Sequence, residues 1–381
     1  MDFSLTEDQK MLRAMVRNFA EKELEPIAAE IDEKARFPAE SISKAVELGL
    51  TGIGYPEKYG GSGGGAIEQT IVFEELAWAC ASTSGILIVT NELAAYPLYA
   101  YGTEEQKQQY LVPLLKGDKL GAFGLTEAGA GSDVAAMAMT ATRQNNVYAL
   151  NGNKIFISNG AEADIIVTFA TIDRSQGYRG VTAFIVDKGT PGFSVGKHER
   201  KMGIRAASAT ELVFEDCLVP VENRLGDEGK GFRIALETID ASRLGIAAQS
   251  LGVAQAAFEK SLAYSRERQQ FGQPIANFQA IQWMLADMAT QIDAARLLTH
   301  RAAFLKDQGL PFVKESSMAK LHAAETAMFV TTKAIQIHGG YGYTKDFAVE
   351  RYFRDAKIME IYEGTSEMQR MTIARQLLRD E

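Results

Sequence analysis

The segment Val147-Tyr-Ala-Leu-Asn-Gly-Asn-Lys-Ile-Phe-Ile-Ser158 holds two short apolar runs, 147–150 and 154–158, on either side of Asn151-Gly152. An Asn-Gly pair between such runs is a strong signal for a two-residue hairpin, because both turn positions need φ > 0. Runs of the same kind at 165–170, 181–186 and 211–214 predict further strands. The zone from about 121 to 225 therefore reads as an antiparallel β unit.

On both sides of this zone the periodicity is helical. Before it, from Leu5 to about Leu120, Thr6-Glu-Asp-Gln9 and Thr103-Glu-Glu-Gln106 fit the capping box, in which Thr and Gln side chains satisfy orphan N–H groups reciprocally. Tyr59-Gly-Gly-Ser-Gly-Gly-Gly65 between them can only be loop. After it, Ile234, Ile239, Leu244, Leu251 and Phe258 predict one very long helix ending near Gly272-Gln-Pro274. A second helix is expected over 278–307 and a third over 314–338, closed by Gly339-Gly340. Helices of this length, with wide apolar faces, indicate a bundle and subunit contacts. The expected organisation is α+β: an N-terminal helical domain (1–120), a middle antiparallel β domain (121–230) and a C-terminal helical domain (231–381) forming a four-helix bundle.

A chain of 381 residues, 46% hydrophobic and 23% charged, has the composition of a soluble globular protein of two or three units. Its net charge of −9 leaves no basic stripe for nucleic acid, although a few local donors suffice for a phosphorylated ligand. Cys80 and Cys217 cannot build a disulfide framework, and no run is long and apolar enough to insert in a membrane. The start, Met1-Asp-Phe-Ser-Leu-Thr-Glu-Asp8, is neither a signal nor a transit peptide. The expectation is a cytoplasmic bacterial protein, or a mitochondrial matrix protein if the chain is a processed eukaryotic one.

P-loop and zinc motifs are missing, and no Cys/His set has metal-ligand spacing. Gly129-Ala-Gly131-Ser-Asp-Val134 begins like a dinucleotide fingerprint but has Val134 for the third glycine and no βαβ context. Gly60-Gly-Ser62-Gly-Gly64 matches a nucleophile elbow only formally, with no strand before it. Phe123-Gly-Leu-Thr-Glu-Ala-Gly-Ala-Gly-Ser-Asp133 passes from a strand-like half into a glycine-rich turn. Such a turn presents successive backbone N–H groups to an anionic or carbonyl-bearing ligand, or is a β turn with no ligand at all.

Thr126-Glu-Ala-Gly-Ala-Gly-Ser-Asp133 resembles the T-E-P-G-A-G-S-D signature of the acyl-CoA dehydrogenase family, with Ala128 at the usual proline. Lys154-Ile-Phe-Ile-Ser-Asn-Gly160, Arg266-Glu-Arg-Gln-Gln-Phe-Gly272, Gln336-Ile-His-Gly-Gly-Tyr-Gly342, Arg354-Asp-Ala-Lys357 and Tyr362-Glu-Gly-Thr-Ser-Glu367 resemble its other motifs, in the family's order. Within the family the chain is most similar to the short-chain, butyryl-CoA-type members. The resemblance implies an FAD at the joint between the β unit and the C-terminal helices. Phe123, Leu125, Thr126, Gly131 and Ser132 would line it, joined by Phe156, Ile157 and Ser158, with Phe156 against the flavin and Ser158 near its N5 edge. Arg268, Phe271, Gln279, Gln336, Gly339 and Gly340 would reach the cofactor from a neighbouring subunit of a homotetramer (a dimer of dimers). Thr365 and Glu367 would return to the same cofactor.

Glu363 becomes the expected catalytic base. Alone, a glutamate ahead of a helix reads as a solvated helix-start acid; the resemblance reverses that. The implied reaction is α,β-dehydrogenation of a short-chain acyl-CoA to the trans-2-enoyl-CoA. Glu363 would take the α-proton and FAD N5 the β-hydride, with electrons passing to electron-transfer flavoprotein. Some family members carry the base just before an arginine of the long helix, but here that position is Ser242, before Arg243. Enclosure by substrate and flavin should raise the Glu363 pKa against the opposing pull of the helix N-terminus. Asp240, Arg243, Ser132, Tyr362 and Gly364 match substrate-side positions. The stretch 82–100 would wall the acyl pocket; it has no Lys or Arg, which disfavours a dicarboxylate, while Glu92 and Tyr96 lend it polarity. The alternatives are a branched or cyclic short acyl substrate, or an O2-using flavin enzyme of the same fold. His338 is read as packing.

Overall fold

The computed structural model describes residues 4–378. Both expected capping boxes form: Thr6 and Gln9 exchange hydrogen bonds of 3.0 and 3.2 Å ahead of Glu7–Phe19, and Thr103 and Gln106 do the same at Glu104–Gln106. Helix Ala66–Ala79 is buried on almost every side and lies against the 37-residue helix Gly231–Glu267. Gly252 permits that approach, since a Cβ there would meet the Glu74 carbonyl at 2.2 Å. The helical stretch Ala81–Tyr101 is interrupted by a π-helical turn, Val89–Ala94, which swells the helix and re-aims its side chains.

The middle unit is an eight-stranded sheet. Its strands are β1 (Gly121–Gly124), β2 (Thr140–Gln144), β3 (Val147–Ser158), β4 (Ile165–Thr171), β5 (Val181–Asp187), β6 (Phe193–His198), β7 (Ala209–Pro220) and β8 (Arg224–Leu225). The order is β6-β7-β3-β2-β4-β5-β8, with β1 beside β4. Two expectations are corrected here. First, the sheet is mixed, because β1 runs parallel to β4 from Gly121↔Ile165 to Gly124↔Thr168. The β2–β3 hairpin lies between those strands in sequence and provides the long crossover that parallel pairing needs.

Second, Asn151-Gly152 is not a hairpin turn. Strand β3 runs straight through it, and the chain reverses at Asn145-Asn146, where Asn145 has φ 55°. Asn151-Gly152 instead marks a register shift against β7. The Asn151 side chain bonds across the ladder to Asp216, whose φ is 47°, while Gly152 has φ 140° and leaves room for Met139. The Asn-Gly signature reports a left-handed or glycine-only backbone, which a bulge requires as much as a turn does. Strands β2 and β6 escaped the sequence reading because their side chains are largely polar and solvent-facing.

In the C-terminal unit Gly231–Glu267 stops short of Gly272 and gives way to a small hairpin, Gln269–Gln270 with Gln273–Pro274, turning at Phe271 (φ 52°) and Gly272 (φ 76°). Gln279–Asp307 and Val313–His338 follow, the latter closed by Gly339 at φ 60°. Two shorter helices, Val349–Met359 and Ser366–Leu377, both pack on Val313–His338 and complete the bundle. One apolar core runs from Val16 and Leu24 through Leu76 and Leu251 to Ala323 and Met359, so the two helical units pack as one body. A second core joins Phe123, Val167 and Ile185 on one face of the sheet to Leu93, Leu98 and Ile234 of the helices. The outermost residues of the expected helical domains, 1–3 and 379–381, lie outside the described residues. No helix among the described residues is long and apolar enough to cross a membrane.

Candidate active site

Glu363 lies in the turn between Val349–Met359 and Ser366–Leu377. Its φ is 51° and that of Gly364 is 89°, two left-handed residues in succession. For a glutamate this conformation costs about 1–2 kcal/mol, so its surroundings must impose it. The Lys320 ammonium donates to the Gly364 carbonyl at 2.7 Å, and the Gln369 amide donates to the carbonyls of Gly364 (2.9 Å) and Glu363 (3.2 Å). Thr365 caps the next helix by accepting from the Met368 N–H at 3.3 Å. Among the described residues, the Glu363 N–H donates to no protein group.

The Glu363 carboxylate accepts a hydrogen bond from the Ser242 hydroxyl. Burial lifts its pKa to about 7, against the Ser242 hydrogen bond and the charges of Lys320 and Arg243, which lower it. Lys320 is fully buried, and burial depresses its ammonium to about 8 despite the nearby Glu363. The carboxyl faces a cavity of about 450 Å³. Phe123, Leu125 and Thr126 at the end of β1, with Phe156, Ile157 and Ser158 at the end of β3, form one wall. Ile239, Ile246 and Gln249 of the long helix, with Tyr362, form another part of its lining, joined by Gly85, Ile88, Val89 and Leu93 of the helical stretch 81–101.

The β-side wall is fixed by a buried ion pair. The Lys154 ammonium, fully buried, donates to the Glu127 carboxylate at 2.7 Å and to the Leu125 carbonyl at 3.2 Å. The same carboxylate accepts from the N–H groups of Ala138 and Met139, and Ile155 N–H donates to the Thr126 carbonyl. The 126–132 loop is thereby anchored to β3, with Gly131, Ser132 and Asp133 exposed at the rim. A Cβ at Gly129 or Gly131 would meet nothing within 4 Å, so this backbone is open to an incoming group. Phe156, at φ 58°, presents a 61% exposed ring to the cavity. An exposed aromatic ring in the cavity, together with open glycine backbone on the loop that follows the lining residue Thr126, suits a planar ring system carrying phosphates.

The structure brings Phe123, Leu125, Thr126, Phe156, Ile157, Ser158, Tyr362 and Glu363 to one cavity. Asp240 and Arg243 pair with each other on the long helix, and Arg243 also donates to Ser317 at 2.9 Å. Arg268, Phe271, Gln279, Gln336, Gly339 and Gly340 do not line the cavity of their own chain. Arg268 instead lies over the Tyr341 ring at 5.4 Å, and Phe271 is 94% exposed. Glu367 points to solvent at the helix start. His338 stacks on Tyr264 at 4.2 Å, in keeping with a packing residue. Sequence reasoning missed Lys320, Gln369 and the Lys154–Glu127 pair, and took Ser242 only as a rival position without a carboxylate. Lys320, Ser242 and the Lys154–Glu127 pair act on partners distant in sequence, so no local pattern announces them, and Gln369 lies near Glu363 but reads as an ordinary helix-start amide.

Three family descriptions match the chain in order: the acyl-CoA dehydrogenase N-terminal domain over 6–118, middle domain over 122–217 and C-terminal domain over 229–378. A short-chain-specific acyl-CoA dehydrogenase of Clostridium acetobutylicum is 54% identical over 379 residues, covering 100% of both chains. An NADH-dependent acryloyl-CoA reductase of Anaerotignum propionicum is also 54% identical, covering 100% of this chain and 96% of its own. Among solved structures, butyryl-CoA dehydrogenase of Megasphaera elsdenii matches with TM-score 0.98 at 48% identity, over 100% of both chains. A chain from work on the electron transferring flavoprotein of Acidaminococcus fermentans matches with TM-score 0.99 at 51% identity, over 100% of both chains.

Proposed function

The chain belongs to the acyl-CoA dehydrogenase family, and on that premise we propose that it converts a short-chain acyl-CoA to the trans-2-enoyl-CoA with Glu363 as base. The observation that carries this reading is the Glu363 turn: a carboxylate with one hydroxyl partner and an undonated N–H, both at the wall of an apolar cavity. The exposed Phe156 ring and the open Gly129–Gly131 backbone fit FAD as the cofactor. When bound, it supplies the acceptor for the hydride that leaves the β-carbon. Everything else falls to the protein. A Glu363 carboxylate oxygen takes the α-proton, and the Ser242 hydroxyl donates to that carboxylate and favours its ionised form. The Glu363 N–H is free to donate to the thioester oxygen, where charge accumulates as the proton leaves; one oriented donor of this kind is worth about 3–4 kcal/mol. The apolar walls exclude water and strengthen both effects.

Exposed Ser132, with Asp240 and Arg243 on the long helix, are the proposed CoA contacts, and Tyr362 and Gly364 the proposed thioester pocket. Exposed Phe271 and Trp283 support a homotetramer in which the Arg268–Gln279 and Gln336–Gly340 segments meet a neighbour's cofactor. Electron-transfer flavoprotein is the proposed acceptor, supported by the match to the Acidaminococcus chain. A second direction has its own support in the equally similar acryloyl-CoA reductase. In that direction the protonated Glu363 would return its proton to the α-carbon, which a carboxyl raised to about 7 can do at neutral pH.

Anaerobic titration of the flavin-loaded protein with butyryl-CoA should bleach the flavin absorbance. Glu363→Gln should slow bleaching by about 10²–10⁴-fold. Normal bleaching by the variant would refute the assignment.

A further inference from the structure

We propose that Glu92 selects the substrate: its carboxyl gives the acyl pocket a polar end that fits a short acyl group carrying a hydroxyl beyond the β-carbon. This rests on the dehydrogenase reading above and narrows it. Glu92 belongs to the π-helical turn Val89–Ala94, and its neighbours Ile88, Val89 and Leu93 line the cavity that Glu363 faces. Across from it, Ser242, Gly245 and Gln249 follow one another at helical spacing along one stripe of the long helix. Ser242 binds Glu363 and Gln249 lines the cavity, so the stripe between them faces the same space. Gly245 has no side chain, and Glu92 fills the gap. A Cβ at Gly245 would sit 2.1 Å from Glu92 Oε2. The carboxyl thus packs on the long helix at Gly245, directly behind the cavity wall that Ile88, Val89, Leu93, Ile246 and Gln249 form.

Glu92 is only 3% exposed, and its buried Oε2 has no hydrogen-bond partner among the described residues. The nearby Lys306 does not pair with it; its ammonium lies 3.5 Å from the Ala241 carbonyl and 5.8 Å from the Tyr96 ring. A buried polar atom left unpaired beside a pocket calls for a partner, which a polar group of the ligand can supply. Burial, with the charge of Glu363 adding to it, lifts the Glu92 carboxyl to about 8, against the pull of Lys306 and a weaker pull from the adjacent Gly245 N–H. In the neutral form it offers one O–H donor and an acceptor oxygen. A hydroxyl also donates and accepts, and satisfies both. An unsubstituted chain leaves them desolvated and unpaired, which a site of this kind discriminates against.

The test compares bleaching of the flavin-loaded protein by 5-hydroxypentanoyl-CoA and pentanoyl-CoA, with butyryl-CoA as reference. The wild-type protein should favour the hydroxylated substrate in kcat/KM. Glu92→Leu should lower the hydroxy-to-plain ratio by about 10–100-fold, and Glu92→Gln should hold it within about threefold. Gly245→Ala, whose methyl displaces the carboxyl, should lower the same ratio with the acid still present, and covers the case in which Glu92→Leu does not fold. Equal ratios in the wild-type protein and in Glu92→Leu or Gly245→Ala would overturn the inference. If butyryl-CoA bleaches normally while the ratio stays fixed, only this inference fails. If no acyl-CoA bleaches the flavin, the dehydrogenase reading fails with it.

Discussion

Glu363 lines the cavity, whereas Glu127 sits one residue beyond the lining residue Thr126, and the surroundings of these two glutamates differ in kind. Glu127 is saturated: it pairs with Lys154 at 2.7 Å and accepts from the N–H groups of Ala138 and Met139. Glu363 has one hydroxyl partner, Ser242, while its nearest cations, Lys320 and Arg243, hydrogen-bond elsewhere. A carboxylate whose lone pairs are all engaged holds structure; one left with capacity, in a water-poor cavity, is available for chemistry.

Exchanging each acid for its amide should separate the two roles. The largest effect is the loss of turnover in Glu363→Gln, about 10²–10⁴-fold, with the fold intact. Glu127→Gln should do the reverse. It strands a fully buried Lys154 ammonium with only the Leu125 carbonyl, at about 3–5 kcal/mol of stability, readable as a lower guanidinium midpoint. A Glu127→Gln protein that melts like the wild type would break the comparison.

The same contrast sets the pH behaviour. The Glu363 carboxyl is raised to about 7, above its unfolded value, so its own contribution to folding stability is greatest at low pH and is lost as the pH rises through about 7. Glu363 is partly open to the cavity, where solvent screens its charge, so this cost is on the order of 1–2 kcal/mol. Glu363→Gln should therefore be more stable than the wild type at pH 8 by about that amount, and indistinguishable from it at pH 4. A substitution that destroys activity while stabilising the fold marks a residue held for chemistry.

How much of this could be read from the sequence follows the range of each interaction. Capping boxes act over three residues, and both were legible. The long helices announce themselves by periodicity, although Gly231–Glu267 stops before the glycine expected to end it, because Gln269–Pro274 forms a hairpin instead. Asn151-Gly152 was misread because one backbone requirement serves both turns and bulges. The Glu363 site was legible only through the family's motifs. Its supports were not, since Ser242 lies 121 residues from Glu363, Lys320 lies 44 from Gly364, and a serine or lysine inside a helix has no local signature.

Ser242 gives the smallest effect and the sharpest test of that last point. Its hydroxyl donates to the ionised form of Glu363 and so favours it, the leading force opposing burial. Removing one such hydrogen bond costs the carboxylate about 1 kcal/mol, or about 0.7 of a pH unit. In Ser242→Ala the acid limb of the rate profile should move up by that amount. Below it, where the rate tracks the ionised fraction, turnover should fall about fivefold; above pH 8.5, where Glu363 is ionised in both proteins, it should match the wild type. A uniform loss at every pH would mean that the hydroxyl orients the carboxylate without tuning it. An unchanged profile would mean that Lys320 and Arg243, from their distance, suffice to hold the charge.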